Sequence, residues 1–433
     1  MTITQLYQKY LAHPIICTDT RKITEGSLFF ALKGDNFNAN TFAEKALECG
    51  AAFAIIDDAK YKKDDRFILV EDVLTTLQEL AKHHRQQLNI PVIGLTGSNG
   101  KTTTKELIYS VLSQRFKAQA TRGNLNNHIG VPLTILELKP DTEIAIIEMG
   151  ANHQKEIEML CQICLPTHGL ITNVGKAHLE GFGGFEGVKK GKGELYDYLE
   201  TSGGITFINQ DNEHLMKMAS ARKLKDIITY GTSNNNNYIS GELLQNNLFL
   251  EVKWGFKNEF YEVKSQMTGI YNFENILVAV AIGKHFGLSA EEINKGIATY
   301  SPQNNRSQII KTEKNTIIGD YYNANPSSML VAIENIAKLD ADQKVLILGD
   351  MFELGEEASA EHEMIIQKVL SYHFDQIIFI GDEFLKLSEL SEAQFFKTTN
   401  EAVIFLQKNP ISNALVLLKG SRSMHLENLM SLL

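Results

Sequence analysis

Short apolar runs alternate with amphipathic stretches along most of the chain, and this pattern predicts alternating strands and helices. In the middle of the chain the predicted strands are 91–95, 143–148, 168–173 and 204–209, with helical periodicity between them. Strands that are joined by helices imply crossover connections and a mostly parallel sheet. After them, residues 243–263 alternate as antiparallel strands do.

The same pattern divides the chain into three units. Before residue 89, apolar strands at 27–32, 51–57 and 67–70 accompany helices at 41–49 and 72–88. After residue 301, strands at 344–348, 376–380 and 414–418 each end in glycine with a polar residue, which is the usual α/β turn. We therefore predict an α/β protein of three domains, 1–88, 89–301 and 302–433, the last one Rossmann-like.

Composition narrows the possible partners and the cellular location. The 433 residues carry a net charge of -10 with no stripe of lysine and arginine, which argues against nucleic acid as a partner. No apolar run approaches the length of a membrane span, and the N-terminus lacks the apolar core of a signal peptide. Four cysteines are too few for a disulfide framework. These features predict no membrane partner and a reducing, cytoplasmic location.

Two of the cysteines, Cys161 and Cys164, form a C-x-x-C pair. No second pair is present to complete a zinc site. Their spacing places both on one face of a predicted helix, which favours buried structural thiols. A redox sensor built on this pair remains an alternative.

A glycine-rich loop, TGSNGKTTT at residues 96–104, follows the strand 91–95 and opens a helix. Gly97 and Gly100 allow a tight turn in which backbone N–H groups approach a ligand, and the helix N-terminus favours an anion. Leu95 stands where the usual motif has its first glycine, so an ordinary glycine turn is the alternative. The loop predicts an ATP site in a central P-loop ATPase domain.

Lys101 and Thr102 complete this site. The lysine supplies a positive charge for the β- and γ-phosphates, and the threonine hydroxyl can bind Mg²⁺. The predicted nucleotide contacts of the loop are Thr96, Gly97, Ser98, Asn99, Gly100, Lys101, Thr102 and Thr103.

Polar side chains also follow the neighbouring predicted strands. Glu148 ends one, Asn173 ends the next and leads to His178, and Asn209 with Asp211 ends a third. Ligands of open parallel sheets bind at the carboxyl ends of strands. Glu148 is thus a candidate Mg²⁺ ligand, with a buried structural glutamate as the alternative. His178 is a candidate second ligand, or a histidine without a site role.

Three further segments are ambiguous from their residues alone. Lys192 lies on a predicted helix with two other lysines and a glutamate, and this pattern favours a solvated face. The polar loops at 18–21 and 33–36 are suited to grip a polar ligand, or are ordinary turns. The asparagine run at 234–237 is most simply a solvated loop.

Longer motifs resemble the Mur ligase family in collinear order from about Asp19 to Glu427. They are TGSNGKTTT, TRGNLNNHIGVPLTIL, EMGAN, TNVGKAHLEGFGGFEGVKKGKGE, YYNANPSSM, LGDMFELG and KGSRSMHLE. The last three are the most specific to the branch that adds D-alanyl-D-alanine to a UDP-muramoyl-tripeptide. An N-terminal segment, DTRKITEGSLFFALKGDNFNANTF, is similar to the family's uridine-nucleotide segment. It departs from that segment at residues 38–40, where an Asp-Gly-His-like run is usual.

The resemblance implies a cytoplasmic ATP-dependent amide ligase of peptidoglycan precursor synthesis. Residues 1–88 would bind the uridine nucleotide, 89–301 would bind ATP, and 302–433 would complete the ligase. The terminal carboxylate of UDP-N-acetylmuramoyl-tripeptide would take the γ-phosphoryl group of ATP. The amine of D-alanyl-D-alanine would then attack the acyl phosphate and release phosphate. Two Mg²⁺ ions and a monomeric protein are expected.

The resemblance also assigns roles to individual residues. Lys101 would hold the β/γ-phosphates, Thr102 and Glu148 the first Mg²⁺, and His178 would help to bind the second. Lys192 matches a lysine that family members carry as a carbamate, an anionic oxygen ligand. The residues implied to handle adenine, ribose or phosphate are Asn275, Arg306 and Asn323. Those implied to bind substrate are Thr20, Arg21, Lys33, Lys419, Ser421 and Arg422.

Two other functions remain open besides the redox sensor. Another ATP-dependent acid–amino acid ligase, such as an enzyme like another Mur ligase or like folylpolyglutamate synthetase, would share the phosphate loop and the carbamate lysine. The YNANP and KGSRSM segments disfavour it. A regulatory protein could retain the fold and bind ATP without catalysis, although Glu148, His178 and Lys192 argue against that.

Overall fold

The structure is a computed structural model that describes residues 1–34, 36–232 and 236–433. Asp35 of one predicted ligand loop, and Asn234 and Asn235 of the predicted asparagine loop, lie outside the described residues. Three larger sheets follow one another along the described chain, and a two-stranded ribbon is inserted between the second and third strands of the first sheet in chain order.

Helices surround these sheets. The α-helices are α1 (Ile3–Ala12), α2 (Ala43–Glu48), α3 (Val73–Gln87), α4 (Lys101–Leu112), α5 (Gly130–Leu136), α6 (Glu156–Cys164), α7 (Leu179–Phe182), α8 (Phe185–Ser202), α9 (Glu213–Ser220), α10 (Tyr271–His285), α11 (Ala290–Thr299), α12 (Pro326–Lys338), α13 (Ala358–Leu370), α14 (Asp382–Leu385) and α15 (Thr399–Lys408).

Most strands are short. They are β1 (Ile16–Cys17), β2 (Leu28–Phe30), β3 (Lys33–Gly34), β4 (Phe37–Asn38), β5 (Phe53–Ile56), β6 (Phe67–Leu69), β7 (Val92–Thr96), β8 (Ala118–Ala120), β9 (Ile144–Glu148), β10 (His168–Ile171), β11 (Ile205–Asn209), β12 (Asp226–Thr232), β13 (Ile239–Asn246), β14 (Leu250–Phe256), β15 (Glu259–Lys264), β16 (Gln308–Lys311), β17 (Thr316–Asp320), β18 (Lys344–Gly349), β19 (Gln376–Ile380), β20 (Gln394–Phe396) and β21 (Leu415–Lys419).

The first sheet is parallel throughout, in the order β1-β2-β5-β6. Side chains alternate across it, so Phe29 packs with α2 on one face while Phe30 packs with α1 and α3 on the other. The second face continues into the core of the central unit, where α3 packs against α5 and α6. The Tyr10 hydroxyl marks this junction, since it donates to the Leu136 carbonyl at 2.6 Å.

The central sheet has the order β15-β14-β13-β12-β11-β10-β7-β9-β8. Its strands are parallel from β8 to β13, and β13, β14 and β15 then pair antiparallel, as the alternation after residue 242 predicts. Helices α4 and α10 pack on one face, and α6 and α8 pack on the other. The phosphate-loop strand β7 lies between β10 and β9.

The third sheet has the order β16-β17-β21-β18-β19-β20 and is parallel except for β16. Helices α12 and α13 cover one face, and α15 covers the other. The predicted α/β class with mostly parallel sheets is confirmed. Each larger sheet lies within one of the three predicted stretches, and the division at residues 88 and 301 stays a prediction. Among the described residues, no helix combines the length and the apolar character needed to cross a membrane.

Candidate active site

The site is built on the carboxyl ends of three adjacent strands. In the register of the central sheet, Leu95 pairs with Glu148 on one side of β7, and Thr96 pairs with Ile171 on the other. The loops that follow β7, β9 and β10 therefore leave the sheet side by side. This places the phosphate loop between Glu148 and the segment that leads to His178.

Two glycines of the phosphate loop approach neighbouring residues closely. A Cβ on Gly97 would stand 2.0 Å from the Thr172 hydroxyl oxygen. Gly100 has φ +76°, a conformation that favours glycine, and a Cβ there would stand 3.2 Å from the Asn275 amide oxygen. Asn275 is itself buried and accepts a hydrogen bond from the Thr104 hydroxyl at 2.9 Å. Asn275 thus supports the loop and α4 from behind.

The loop is also fixed by the residues that follow β10. The Asn99 N–H donates to the Asn173 side chain at 3.0 Å, and the Asn173 amide donates back to the Asn99 carbonyl at 3.1 Å. The Ser98 hydroxyl donates to the Gly175 carbonyl at 3.1 Å. Among the described residues, no side chain caps the first turn of α4. Its N–H groups remain available for an anion.

Lys101, the first residue of α4, curls back over the loop. Its ammonium donates to the Gly97 carbonyl at 2.7 Å and to the Ser98 carbonyl at 3.1 Å. Burial lowers the pKa of Lys101 to about 8, and the negative charge of Glu148 acts in the opposite direction. A phosphate at the loop would compete with these carbonyls for the ammonium.

Glu148 is 1% exposed and has two different carboxylate oxygens. Oε1 accepts from the Thr102 hydroxyl at 3.1 Å and from the Asn126 amide at 2.8 Å. Oε2 is buried and has no hydrogen-bond partner among the described residues. An unpartnered buried carboxylate oxygen beside a hydroxyl is a suitable donor set for a hard cation, so these residues fit Mg²⁺.

His178 lies at the opposite wall of the site. It has φ +53° and immediately precedes α7. Its Nδ1 forms a hydrogen bond with a carboxylate oxygen of Glu353, which belongs to the third unit. The histidine therefore connects the central unit to the LGDMFELG segment.

Lys192 is buried on α8, so the solvated face that its residue pattern favours is wrong. The side chain is 1% exposed, and its ammonium donates to the Ala151 carbonyl at 3.0 Å. The Phe182 ring centroid lies 5.0 Å from the same nitrogen. Burial, and then the charge of Lys101, lowers the pKa of Lys192 well below its ordinary value. This shift makes the neutral amine more accessible at Lys192 than at an exposed lysine.

The third unit supplies cationic side chains from the sheet edge at which β17 and β21 end and the antiparallel β16 begins. Lys419, at the end of β21, forms an ion pair of 2.6 Å with Asp320 at the end of β17. Arg306 stacks on Tyr322, with its guanidinium carbon 3.9 Å from the ring centroid, and Arg422 lies 5.4 Å from the same centroid. These contacts gather two guanidinium groups on one aromatic ring.

Direct contacts hold this edge of the third sheet against the phosphate loop. The Asn325 amide donates to the Asn99 side-chain oxygen at 2.7 Å. The Lys176 N–H donates to the Ser327 hydroxyl at 3.1 Å, and its ammonium pairs with Glu361 at 2.5 Å. Asn325 also caps α12 by accepting from the Ser328 N–H.

A cavity of about 850 Å³ lies between the two units. Most of the predicted site residues line it: Ser98, Asn99, Gly100, Lys101, Thr102, Thr103, Glu148, His178, Asn275, Arg306, Asn323, Lys419 and Arg422. The predicted residues that do not line it are Thr20, Arg21, Lys33, Thr96, Gly97, Lys192 and Ser421. Lys192 reaches the cavity wall through Ala151, whereas the buried Ser421 donates its hydroxyl to the Asp350 carbonyl.

The predicted substrate residues of the first unit lie on another edge. Thr20 and Arg21 follow β1 and Lys33 follows β2, so they share the carboxyl end of the first sheet. Arg21 is highly exposed and pairs with Asp19 at 2.7 Å. Lys33 pairs at 2.8 Å with Asp57, which is 5% exposed in its side chain.

Sequence reasoning missed several residues of the cavity. Asn126 contacts Glu148, Asp320 pairs with Lys419, and Tyr322 carries the arginine pair. Asn126 lies in the GNLNNHIG stretch and Tyr322 in the YNANP stretch, where dense polar residues were the available signal. Neither stretch indicates by itself which side chain faces the site.

The C-x-x-C pair lies in the core. Cys161 and Cys164 are both fully buried, and each sulfur lies within 4 Å of the Met149 sulfur, at 3.8 and 3.7 Å. Burial raises the pKa of both thiols, that of Cys164 to about 12. Such thiols are poorly reactive, in agreement with a structural role.

Comparisons with known proteins point to one family. The family model described as Mur ligase middle domain matches residues 95–283, and that described as Mur ligase, glutamate ligase domain matches residues 305–422. The UDP-N-acetylmuramoyl-tripeptide–D-alanyl-D-alanine ligase of Bacillus subtilis is 35% identical over 98% of this chain and 93% of its own length.

Solved structures agree with this similarity. A crystal structure of MurF from Acinetobacter baumannii has a TM-score of 0.86 and 32% identity, covering 96% of this chain and 92% of that one. The structure of the MurF ligase from Thermotoga maritima in complex with ADP has a TM-score of 0.86 and 25% identity, covering 98% and 97%.

Proposed function

The chain belongs to the Mur ligase family, and from this premise we propose which residues perform an ATP-dependent ligation here. The reaction adds D-alanyl-D-alanine to UDP-N-acetylmuramoyl-tripeptide in peptidoglycan precursor synthesis. One observation gives the main support for assigning these residues to the ligation. Glu148 presents a buried unpartnered oxygen next to Thr102 and the phosphate loop, in a cavity that the third unit closes.

The chemistry requires activation of a carboxylate, because an oxide ion is a poor leaving group. The tripeptide carboxylate attacks the γ-phosphorus of ATP, the bond to the β-phosphate oxygen breaks, and ADP leaves. The free amine of the dipeptide then attacks the acyl carbon, and the tetrahedral intermediate expels phosphate and loses a proton. Transfer of this kind depends mostly on positioning and charge neutralisation.

The phosphate loop holds ATP in this proposal. The N–H groups at the start of α4 and the Lys101 ammonium bind the β- and γ-phosphates, and Asn275 supports the loop. Arg306 and Asn323 line the same cavity and contact the rest of the nucleotide. The protein provides these donors in an enclosed site, where they act more strongly than in water.

Two Mg²⁺ ions would neutralise the charge that develops on the phosphoryl oxygens. Thr102 and Glu148 would hold the first ion. His178 and a modified Lys192 would hold the second, and Glu353 would keep His178 in place. Oxygen and imidazole donors of this kind suit a divalent cation.

We infer that Lys192 carries a carbamate. Carbon dioxide adds to an unprotonated amine, and burial lowers the pKa of Lys192 in the required direction. The product is an anionic oxygen donor in place of a cation. Its hydrogen-bond partner Ala151 lines the cavity, so Lys192 lies directly behind that part of the cavity wall.

The first unit binds the uridine nucleotide. Thr20, Arg21 and Lys33 lie at the carboxyl ends of parallel strands, which is where such sheets bind ligands. Phe37 and Phe42 form an exposed stacked pair beside Lys33, with centroids 5.6 Å apart, and offer a surface for a planar base. In the third unit, Lys419 and Arg422 contact the substrates across the cavity, and Ser421 fixes their loop.

Phosphate release from ATP tests the function. We expect rapid release by the full chain only when UDP-N-acetylmuramoyl-tripeptide and D-alanyl-D-alanine are both present. Stimulation by a single amino acid instead of the dipeptide would identify another acid–amino acid ligase. Nucleotide binding with no substrate-stimulated release would identify a regulatory protein.

Four further expectations stay predictions. They are the division into domains, a monomeric state, a cytoplasmic location and the absence of nucleic-acid and membrane partners. Light scattering of the purified chain tests the monomeric state, because a monomer has a mass of 48.5 kDa.

A further inference from the structure

A fully buried lysine lies on the helix that follows the phosphate loop. Lys105 is on α4, one turn after Lys101, and its side chain is fully buried. Its ammonium donates to the Thr121 carbonyl at 2.5 Å and pairs with Glu106 at 2.8 Å. The same nitrogen lies 4.0 Å from Oε2 of Glu148.

The Lys105 nitrogen thus faces the carboxylate oxygen of Glu148 that has no hydrogen-bond partner among the described residues. Oε1 is occupied by Thr102 and Asn126, while Oε2 is buried and accepts no hydrogen bond within the described chain. The Lys105 nitrogen is too distant for a hydrogen bond, yet close enough for strong attraction between charges in a buried site.

Thr121 connects the two residues. Its carbonyl accepts from Lys105, and its hydroxyl accepts from the Glu148 N–H at 2.9 Å. The lysine is thereby held at a fixed place relative to the end of β9. It cannot swing into solvent without abandoning a buried carbonyl.

We propose that Lys105 is a positioning residue that acts as the countercharge of Glu148 in the metal-free protein and thereby lowers the affinity for Mg²⁺. This rests on the proposed role of Glu148 as a metal ligand. Lys105 offsets the charge of the buried Glu148 carboxylate between turnovers. Its charge also repels the entering cation, so that the metal exchanges with the nucleotide instead of remaining bound.

Loss of the Lys105 charge should increase the affinity for Mg²⁺. Removal of the lysine charge leaves the Glu148 carboxylate of the metal-free protein with Lys101 as its remaining nearby cation, and it removes repulsion in the loaded protein. Both changes make Mg²⁺ binding more favourable. A lysine that served only as scaffold would have the opposite effect, because its loss would disorder the ligand and weaken binding.

Mg²⁺ titrations of the full chain at one fixed ADP concentration, followed by calorimetry and by the unfolding temperature, test this sign. For Lys105→Met we expect a lower unfolding temperature in EDTA and an apparent Kd for Mg²⁺ that falls by about tenfold. Lys105→Arg keeps the charge and should resemble the parent. Lys117→Met, at an exposed lysine near the start of β8, is the control and should leave the Kd unchanged.

Glu106→Gln provides a second test that does not alter the buried lysine. Glu106 is partly exposed, and its carboxylate offsets the Lys105 charge. Its removal leaves more positive charge facing Glu148, so the Kd should rise by about twofold to fivefold. An unchanged or weaker affinity in Lys105→Met, or an unchanged or tighter one in Glu106→Gln, would overturn the proposal.

The variant Glu148→Gln distinguishes a wrong role for Lys105 from a wrong assignment of Glu148 as a metal ligand. Glu148→Gln should lose most Mg²⁺ affinity. If it does and the Lys105 variants move in the wrong direction, only the role of Lys105 fails. If Glu148→Gln binds Mg²⁺ as the parent does, the metal assignment fails and the role of Lys105 fails with it.

Discussion

The first sheet and the central sheet both place polar residues at the carboxyl ends of parallel strands, but they differ in how far these residues are buried. The carboxyl ends of the first sheet carry Arg21 and Lys33, and those of the central sheet carry Lys101 and Glu148. The Arg21 side chain is 86% exposed, whereas Glu148 is 1% exposed beneath the edge of the third sheet. Both edges thus place polar groups at parallel strand ends, but only one encloses them.

Burial changes how strongly each charge contributes to binding and stability. At the open edge, ion pairs such as Arg21–Asp19 are screened by solvent and salt. At the closed edge, a charge has fixed partners and acts through a low dielectric, so its loss is costly. The open edge suits reversible capture of a substrate, and the closed edge suits the chemistry. Variants at the two edges should therefore differ in size of effect.

The largest effect is expected at Lys101. Lys101→Ala removes the ammonium that lies over the phosphate loop, and kcat/KM for ATP should fall by about a hundredfold or more. Initial rates of phosphate release at subsaturating ATP, with the other two substrates saturating, measure it. An alanine at Lys117, which is exposed, serves as the matched control. Near-normal turnover of Lys101→Ala would remove the ATP site from this loop.

The next largest effect is expected at Lys192. Lys192→Ala removes the proposed carbamate, and activity should fall by about tenfold to a hundredfold. Acetate should restore part of it by supplying a carboxylate to the vacated space. Lys190→Ala, two residues away and exposed, should be nearly silent. Full activity of Lys192→Ala in CO₂-free buffer would show that no carbamate acts here.

Loss of the hydrogen bond between Asn99 and Asn325 should have an intermediate effect on kcat/KM. This 2.7 Å hydrogen bond joins the phosphate loop to the third unit, and each alanine variant should lower kcat/KM by about fivefold. The double variant should lose less than the product of the two, with a coupling of about 1 kcal/mol. Fully independent effects would mean that the contact does not hold the cavity closed.

The smallest effects are expected at the open edge. Arg21→Ala and Lys33→Ala should each weaken UDP binding by less than about tenfold, and less at high salt. The unfolding temperature should stay unchanged in Arg21→Ala, because the partner of Arg21 is not buried. Calorimetry with UDP measures the affinity, and Lys63→Ala, at another surface pair, is the control. Losses as large as those at Lys101 would show that this edge is enclosed during the reaction.

The open edge should also respond little to pH. Hydrogen bonds from Arg21 lower the pKa of Asp19 to about 2. A lowered carboxyl pKa means that the pair is complete above the unfolded value near 4 and is lost only as pH falls toward about 2. UDP affinity should therefore show no change from this pair between about pH 5 and about pH 8. A transition in that range would implicate another group.

The sequence by itself determined the features that depend on near neighbours. Apolar runs located β7, β9, β10 and β11, and the glycine spacing located the phosphate loop, because these patterns reflect local backbone geometry. The C-x-x-C spacing predicted buried thiols for the same reason. Family-like motifs then gave the reaction class, which the near-full-length relatives support.

Only the tertiary structure decided which charges face one another. Lys192 resembles a solvated lysine in sequence, yet it is buried against Ala151, forty-one positions away. Lys105 gave no signal, and Asn126 gave only that of a polar stretch. Both meet Glu148 through the packing of separate elements. The bond from Asn325 to Asn99 spans 226 positions. Local pattern cannot specify such pairs, because their distances are set by strand order and by how the third sheet closes over the second.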